Sequence, residues 1–155
     1  MSQSPTSRAM TKAENDAYLA RPILARIATI RSDRPHVVPM WFHWDGESIW
    51  METGLNFQKH KNLLKNRTCA VTIDTTEGGL RFQGVILEGE AELITEPLEF
   101  VQQTVIAIYT KYLGHEGIQA PTPRRMIESP HVIIKLTPRR IRSWDDTRAA
   151  IAPLP

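Results

Sequence analysis

The chain is poor in cysteine, has no long apolar run and carries no large excess of one charge, and each absence narrows what it does. Its one cysteine in 155 residues, Cys69, excludes an internal disulfide and any zinc site built on several thiolates. Cys69 sits in the apolar run Thr68-Cys69-Ala70-Val71-Thr72-Ile73, where it reads as a small buried strand residue rather than a nucleophile. No stretch approaches the ~20 apolar residues of a membrane span. Residues 1–10 are rich in Ser, Pro and Thr and lack the apolar core of a secretory signal, so a cytoplasmic protein is expected, with no membrane partner. Lys and Arg outnumber Asp and Glu by 19 to 17, a net charge of +2, which is too small to imply a nucleic-acid partner.

Chemical motifs are also missing. There is no phosphate loop of the Gly-x-x-x-x-Gly-Lys type and no Gly-x-Gly-x-x-Gly. No nucleophile elbow is present, and no two of the five histidines fall at a metal-ligand spacing on a helix. No catalytic residue and no metal ligand are therefore assigned. A chain without its own nucleophile or metal still works as an enzyme when a cofactor carries the chemistry.

What is present is a succession of short strand-like segments. With 41% apolar and 23% charged residues, the chain has the balance of one soluble globular domain. Residues 1–10 read as a disordered arm, 11–146 as the domain and 147–155 as a tail. Thr11-Lys12-Ala13-Glu14 is a capping box that predicts a helix over residues 12–21, stopped at Pro22. Residues 23–30, 36–44 and 47–54 read as three antiparallel strands in a meander, with Asp45-Gly46 as a hairpin turn. A short helix is predicted over residues 57–66, with Phe57, His60, Lys61 and Leu64 on one side and Leu63 adjoining.

Strands follow over residues 68–74 and 80–95, joined by a turn at 75–79. Gly84 and Gly89 suggest a bulge or coil in the longer one. An amphipathic helix over residues 97–113 carries Leu98, Val101, Val105, Ile108, Tyr109 and Tyr112 as one stripe. Residues 114–123 read as a loop, and residues 131–136 and 139–144 as the last two strands. Six or seven strands in consecutive hairpins, with two to four short helices, argue for a mainly β protein, a small barrel that removes sheet edges by closing.

Two segments have binding chemistry. Lys59-His60-Lys61-Asn62-Leu63-Leu64-Lys65-Asn66-Arg67 puts four cations and a histidine at the start of a helix. Free N–H groups and the helix dipole attract phosphate there. On spacing alone, a solvated basic face accounts for the run equally well. In His36-Val37-Val38-Pro39-Met40-Trp41-Phe42-His43-Trp44, Trp41, Phe42 and Trp44 offer flat apolar walls, either to a cofactor or to the core and a dimer interface. Pro39 lacks a donor and marks an unpaired strand position.

The ordered set Pro39-Met40-Trp41-Phe42-His43-Trp44-Asp45-Gly46-Glu47, Glu52-Thr53-Gly54, Lys59-x-x-Asn62-Leu63-x-x-Asn66, Ala70-Val71-x-Ile73-Asp74 and Gly84-Val85-x-Leu87-Glu88-Gly89-Glu90-Ala91 resembles the pyridoxamine 5′-phosphate oxidase-like split-barrel proteins. Pro138-Arg139-Arg140-Ile141-Arg142-Ser143-Trp144 fits their last strand, and the resemblance spans roughly residues 12–145. It implies an FMN-binding split barrel that forms a homodimer, with each cofactor in the groove between subunits. Carried over, Lys59 matches the cofactor-phosphate lysine, with Lys61 and Asn62 nearby. Glu52 and Thr53 match positions lining the phosphate and ribityl chain. Val38, Pro39 and Met40 match the strand whose backbone faces the isoalloxazine, and Gln83 and Trp144 come from the second subunit.

The arginine- and histidine-containing C-terminal segment that recognises pyridoxal phosphate in the true oxidases has no counterpart after Trp144, which argues against a vitamin B6 oxidase. The resemblance then implies an oxidoreductase using coenzyme F420 or FMN on a small unsaturated substrate. A non-catalytic flavin- or haem-binding module for storage or sensing, with His43 or His60 as the haem ligand, is the alternative. A nucleic-acid-binding barrel stacking bases on Trp41 and Trp44 ranks behind both.

Overall fold

The structure, a computed structural model, describes residues 8–77 and 81–146. The capping box forms as expected. The Thr11 side chain accepts from the Glu14 backbone N–H, and the Glu14 carboxylate accepts from the Thr11 N–H, so helix α1 runs over Lys12–Leu19. It ends two residues earlier than Pro22 demands. Residues 8–10, expected to be part of a disordered arm, are placed. Arg8 bridges Asp145 and pairs with Glu14 at 2.7 Å, and Met10 is buried. Residues 1–7 and the predicted tail at 147–155 lie outside the described residues.

Strand β1 is Ala25–Arg31 and β2 is Arg34–Met40, paired antiparallel around the turn at residues 32–33. The expected single strand over residues 36–44 is broken at Trp41 and Phe42. Its remainder, β3, is His43–Trp44, and it pairs only with β4, Ile49–Thr53. No three-stranded meander forms over residues 23–54. The order β2-β1-β5-β6-β7-β4-β3 puts β2 and β3 at opposite ends of the sheet path. In it β5 is Thr68–Glu77, β6 Arg81–Ile94 and β7 Val132–Leu136, while β8, Arg140–Asp145, pairs with β6 beside β7. The two ends are joined covalently through Trp41 and Phe42 yet do not pair, so the sheet is a split barrel. Dividing the second strand raises the expected strand count to eight.

The break has a local cause. Phe42 is fully buried in the core, and Trp41 turns the other way, stacked on Tyr112 with ring centroids 4.7 Å apart and planes 6° from parallel. The Phe42 N–H, which has lost its place in the ladder, donates to the Tyr112 hydroxyl at 3.2 Å. That hydroxyl donates onward to the Ile23 carbonyl at 2.7 Å. A buried N–H is thereby satisfied, as it must be.

Along β6 no bulge appears, because the β5–β6 register is continuous from Thr68↔Glu90 to Glu77↔Arg81. The strand instead changes partner. Residues 83–88 pair with β8 and residues 91–94 with β7. Gly89 marks the change. A Cβ there would meet the Leu136 side chain at 3.0 Å and the Arg139 nitrogen at 3.3 Å, where the chain crosses from β7 to β8. Gly84 leaves room for its β8 neighbour, since a Cβ there would run into the Trp144 ring.

Among the described residues, four helices accompany the sheet. Helix α2, Gln58–Lys65, forms where predicted, but its inward face differs. His60, Asn62 and Leu63 are buried, whereas Phe57, Lys61 and Leu64 are exposed. Helix α3 runs over Leu98–Gly117 with a break in helical geometry at Gly114 (φ 72°). Val101, Val105, Ile108 and Tyr109 of the predicted stripe are buried, but Leu98 at its first turn is 77% exposed. The expected loop at residues 114–123 holds the end of α3 and the start of a further helix, α4, Pro121–Glu128. Pro121 and Pro123 look like breakers, but in a first turn their missing N–H groups have no helical partner to lose.

Inside the barrel, alternate residues of β1, β5, β6 and β4 (Ile27, Val71, Leu87 and Met51 among them) form one core. A second cluster lies outside it, where Val101, Val105 and Tyr109 of α3 and Ile127 of α4 cover Ile133 and Trp50. No helix among the described residues is long and apolar enough to cross a membrane.

Lys111 of α3 binds the two layers together. Its ammonium donates to the Leu19 carbonyl at 2.8 Å and lies 3.4 Å from the centre of the Phe42 ring. Burial pushes its pKa down to about 7 from 10.5. Between these values the unfolded chain binds a proton that the folded chain does not, so this group makes stability rise with pH across that window and leaves it level below it. The variant Lys111→Met lacks this dependence. Its melting temperature relative to wild type should fall by about 3 °C or more between pH 7 and pH 10 and stay constant below pH 7, as read by calorimetry on both proteins.

Candidate functional site

A groove of about 250 Å³ opens where the barrel is split. Pro39 and Met40 form one side, at the end of β2, which among the described residues pairs only with β1 and has no ladder partner on its other edge. Glu52, Thr53 and Gly54, at the end of β4, form the floor, and Phe57 and Lys59 from the start of α2 close one end. Trp41, Tyr109 of α3 and Met126 of α4 supply the opposite wall.

The α2 end is built for an anion. Phe57 at the N-cap makes no side-chain cap, and the first turn has no acidic residue. Its leading N–H groups therefore keep their donor capacity and the positive end of the dipole. Lys59 has no ion-pair partner among the described residues, and its ammonium lies 4.5 Å from the Phe57 ring centre. Burial lowers its pKa, and the Glu52 charge partly restores it.

The floor is differently wired. Glu52 accepts from the Tyr109 hydroxyl at 3.4 Å through one carboxylate oxygen, and the other lies 2.9 Å from His131 Nδ1. Burial and the Glu52 carboxylate together raise the Tyr109 pKa above that of an ordinary phenol. Hydrogen bonding to Glu52 is the largest cause of a raised His131 pKa.

The predicted site residues divide into four groups. Pro39, Met40, Glu52, Thr53 and Lys59 come together at the groove. Val38 adjoins it, but its half-buried side chain packs on the barrel core, so only its backbone faces the β2 edge. Asn62 and Lys61 do not belong to it. Asn62 is buried, donating to Thr29 Oγ1 at 2.9 Å and accepting from Gln58 at 2.7 Å, which makes it a strut between α2 and β1. Lys61 is exposed on the other side of the helix. Gln83 and Trp144 lie on the β6–β8 ladder, away from this chain's groove.

Trp41, one of the flat walls the sequence offers to a cofactor or to the core, lines the groove, whereas Tyr109, Met126 and His131 carry no site signal in the sequence. Tyr109 reads there only as one of a buried stripe, and His131 as the start of a strand. Of the two histidines considered for haem, His60 is buried with Nδ1 2.7 Å from the Leu55 carbonyl, and His43, on β3, is half-buried with its pKa lowered by burial. Neither lines the groove.

A larger concavity of about 420 Å³ lies on the outer face of the sheet among Ala28, Ile30, Ala70 and Gly89. Its cations are already paired, Arg139 with Glu90 at 2.6 Å and Arg140 with Glu88 at 3.9 Å. It has no free charge to offer an anion, whereas the groove does.

Comparison with known proteins agrees with this architecture. The family model described as pyridoxamine 5′-phosphate oxidase matches residues 11–145. A conserved hypothetical protein of Mycobacterium tuberculosis is 27% identical, with a TM-score of 0.81 over 100% of this chain and 96% of that one. An F420 reductase is 25% identical, with a TM-score of 0.62 over 81% of this chain and 94% of its own. A FAD-binding protein of Mesorhizobium loti shares the fold at 16% identity, with a TM-score of 0.68 over 90% and 96% of the two chains. No curated protein matches.

Replacing Lys59 tests the anion end directly. A charge-assisted hydrogen bond to phosphate contributes roughly 1.5–3 kcal/mol, so Lys59→Ala should weaken binding of FMN by about tenfold or more while the fold stays intact. The loss should shrink at high salt, where screening already reduces the attraction in the wild type. Lys65→Ala, at the far end of α2, should change little. Equal FMN affinity for wild type and Lys59→Ala in a titration would make the basic helix a solvated face.

Proposed function

The chain belongs to the pyridoxamine 5′-phosphate oxidase family, a family of flavin-related oxidoreductases, and from that premise we propose that it binds FMN or coenzyme F420 in the groove and reduces or oxidises a small unsaturated substrate. The observation that carries this reading is the desolvated, unpaired Lys59 at the uncapped start of α2, with the flat rings of Trp41 and Tyr109 across the groove. Phosphate is a natural occupant of the first end, and a planar ring system of the second. Similarity to an F420 reductase and to a FAD-binding protein supports the same class of ligand.

The residues present fit such a cofactor. Lys59 and the first N–H groups of α2 would hold its phosphate. Thr53 and the backbone at the edge of β2, from Val38 to Met40, would flank the rest. When bound, the cofactor supplies the hydride or electrons. The protein orients it, excludes water and sets the charge around it.

The second part of the proposal is a homodimer with a groove shared between copies. A volume of about 250 Å³ falls below the ~300 Å³ at which pockets begin to enclose drug-sized ligands. The outer sheet face beside it needs a cover. It presents Ala28 beside Ala70, with Val37 opposite Ala28 and Phe82 further along β6 left 58% and 40% exposed. Packing that face against a second copy would bury them and bring the partner's Gln83 and Trp144 toward the groove. A buried Cys69, with its thiol pushed up to about 11 by burial, suits the reducing cytosol we propose for it.

Titration with FMN, F420 and haemin, read by absorbance and by the mass of the ligand bound, tests the cofactor class. The flavin band near ~450 nm and the deazaflavin band near ~420 nm distinguish the first two, and haem absorbs near ~400 nm. Saturable binding of FMN or F420 at micromolar concentration is expected, and binding of haemin alone would replace the redox reading with the storage or sensing one. Light scattering on the loaded protein should give a dimer, and Trp144→Ala should weaken cofactor binding. A monomer that retains the cofactor would overturn the shared groove.

A further inference from the structure

Reduction of a polarised double bond needs one hydride and one proton, and the groove already contains a place for the proton. His131 is 7% exposed, and both its ring nitrogens face oxygen. Nδ1 is 2.9 Å from a Glu52 carboxylate oxygen, and Nε2 is 2.7 Å from the Met126 carbonyl at the end of α4. A carbonyl oxygen only accepts, so Nε2 must carry a hydrogen. The Ser129 hydroxyl, 3.4 Å from Nε2, does not change this, because its own hydrogen is directed to the same carbonyl at 2.6 Å. On the other side, an ionised Glu52 also only accepts, which requires a hydrogen on Nδ1 as well. If Nδ1 is bare, the hydrogen must sit on the Glu52 carboxyl. Either way, the contact holds one proton more than a neutral imidazole beside a carboxylate would.

We propose that Glu52 and His131 act as a proton-holding pair, and that Glu52, which faces the groove, delivers this proton to the substrate. The inference rests on the redox reading of the groove given above. For an α,β-unsaturated ketone the balance is complete. The carbon–carbon π bond breaks, hydride adds at the β carbon, and the resulting enolate takes the proton at the α carbon. The proton leaves His131 Nδ1 for Glu52 and passes from the carboxyl to the substrate. The pair is left as carboxylate and neutral imidazole and regains its proton from solvent.

The surrounding groups suit this role. From α3, the Tyr109 hydroxyl donates to the other Glu52 oxygen at 3.4 Å and fixes the carboxylate plane. From α2, the Lys59 ammonium is the charged group facing Glu52, and the Glu52 charge raises the Lys59 pKa against the effect of burial. From α4, the contact to His131 is a carbonyl, and the nearby Arg124 is paired with Glu128 on the exposed side. Burial keeps Tyr109 protonated, so it positions Glu52 and is a poor proton source itself.

The test has two arms on the full chain. In the first, nitrogen NMR of the His131 ring, without cofactor, should find the extra proton in the pair at pH 7: both nitrogens protonated, or one with a protonated Glu52. In Glu52→Gln the ring should become neutral near pH 7. In the second, reduced FMN or reduced F420 is bound and mixed with 2-cyclohexen-1-one in a single turnover. Glu52→Gln should bind the anionic cofactor no more weakly than wild type, since a like charge is gone, yet reduce the enone about 100-fold more slowly. His131→Gln should also slow the step and move its pH dependence toward acid.

A neutral His131 beside an ionised Glu52 at pH 7, or wild-type single-turnover rates in Glu52→Gln, would overturn the inference. If wild type binds neither cofactor, the redox reading falls instead, and the NMR arm still decides whether the pair holds a proton.

Discussion

The Tyr112 hydroxyl sits where the barrel is split, and most of the site depends on it. A strand that continued through Trp41 and Phe42 would carry both rings on a regular ladder and would close or flatten the sheet. Instead, the chain leaves β2, drives Phe42 into the core and turns Trp41 outward, which strips the Phe42 N–H of its strand partner. Leaving such a group buried and unpaired costs about 1–3 kcal/mol. Tyr112 removes that cost by accepting from Phe42 and donating to Ile23, and burial, the main cause, holds its pKa at about 12, so the proton stays in place. The same contact anchors α3 to the barrel, and α3 in turn brings Tyr109 to the groove.

The groove formed at that split is electrostatically divided. One end holds an unpaired cation beside an uncapped helix start, and the floor holds a carboxylate a short way off. An exposed Glu52 would compete with any anionic ligand for Lys59. Here the carboxylate is engaged by His131 and Tyr109, so its charge is largely met from behind. The anion end is thereby kept open without removing Glu52 from the groove. Two opposite charges serve one site because each has its own partners.

Glycine positions show how closely the sheet layers approach. At Gly84 the Trp144 indole occupies the space of a side chain, and at Gly89 the chain crossing from β7 to β8 does so. Both lie on β6, which pairs with β5, β7 and β8. Elsewhere the outer face carries Ala28 beside Ala70, with the exposed Val37 and Phe82 around them. Such a surface is suited to burial against a copy of itself.

Much of this was legible in the amino-acid sequence. The Thr11–Glu14 box, the Asp45-Gly46 turn and the basic start of α2 rest on local chemistry, and each forms where it is written. The ordered blocks from Pro39 to Trp144 carried the family and its split barrel, and Lys59 lines the groove. Local pattern did not show the break at Trp41–Phe42, because both residues favour strands and only a hydroxyl 70 positions away makes the break tolerable. It also hid α4, whose prolines look like breakers until their place in the first turn is known. Asn62 shares the helix with Lys59 but points inward, since the facing of a short helix is set by what it packs against. The pairing of Glu52 with His131, 79 residues apart, required β4 and β7 to lie side by side. Sequence determined the elements, the charges and the family; the tertiary structure decided which side chains meet, because hydrogen-bond partners distant in the chain exist only after the sheet has closed around them.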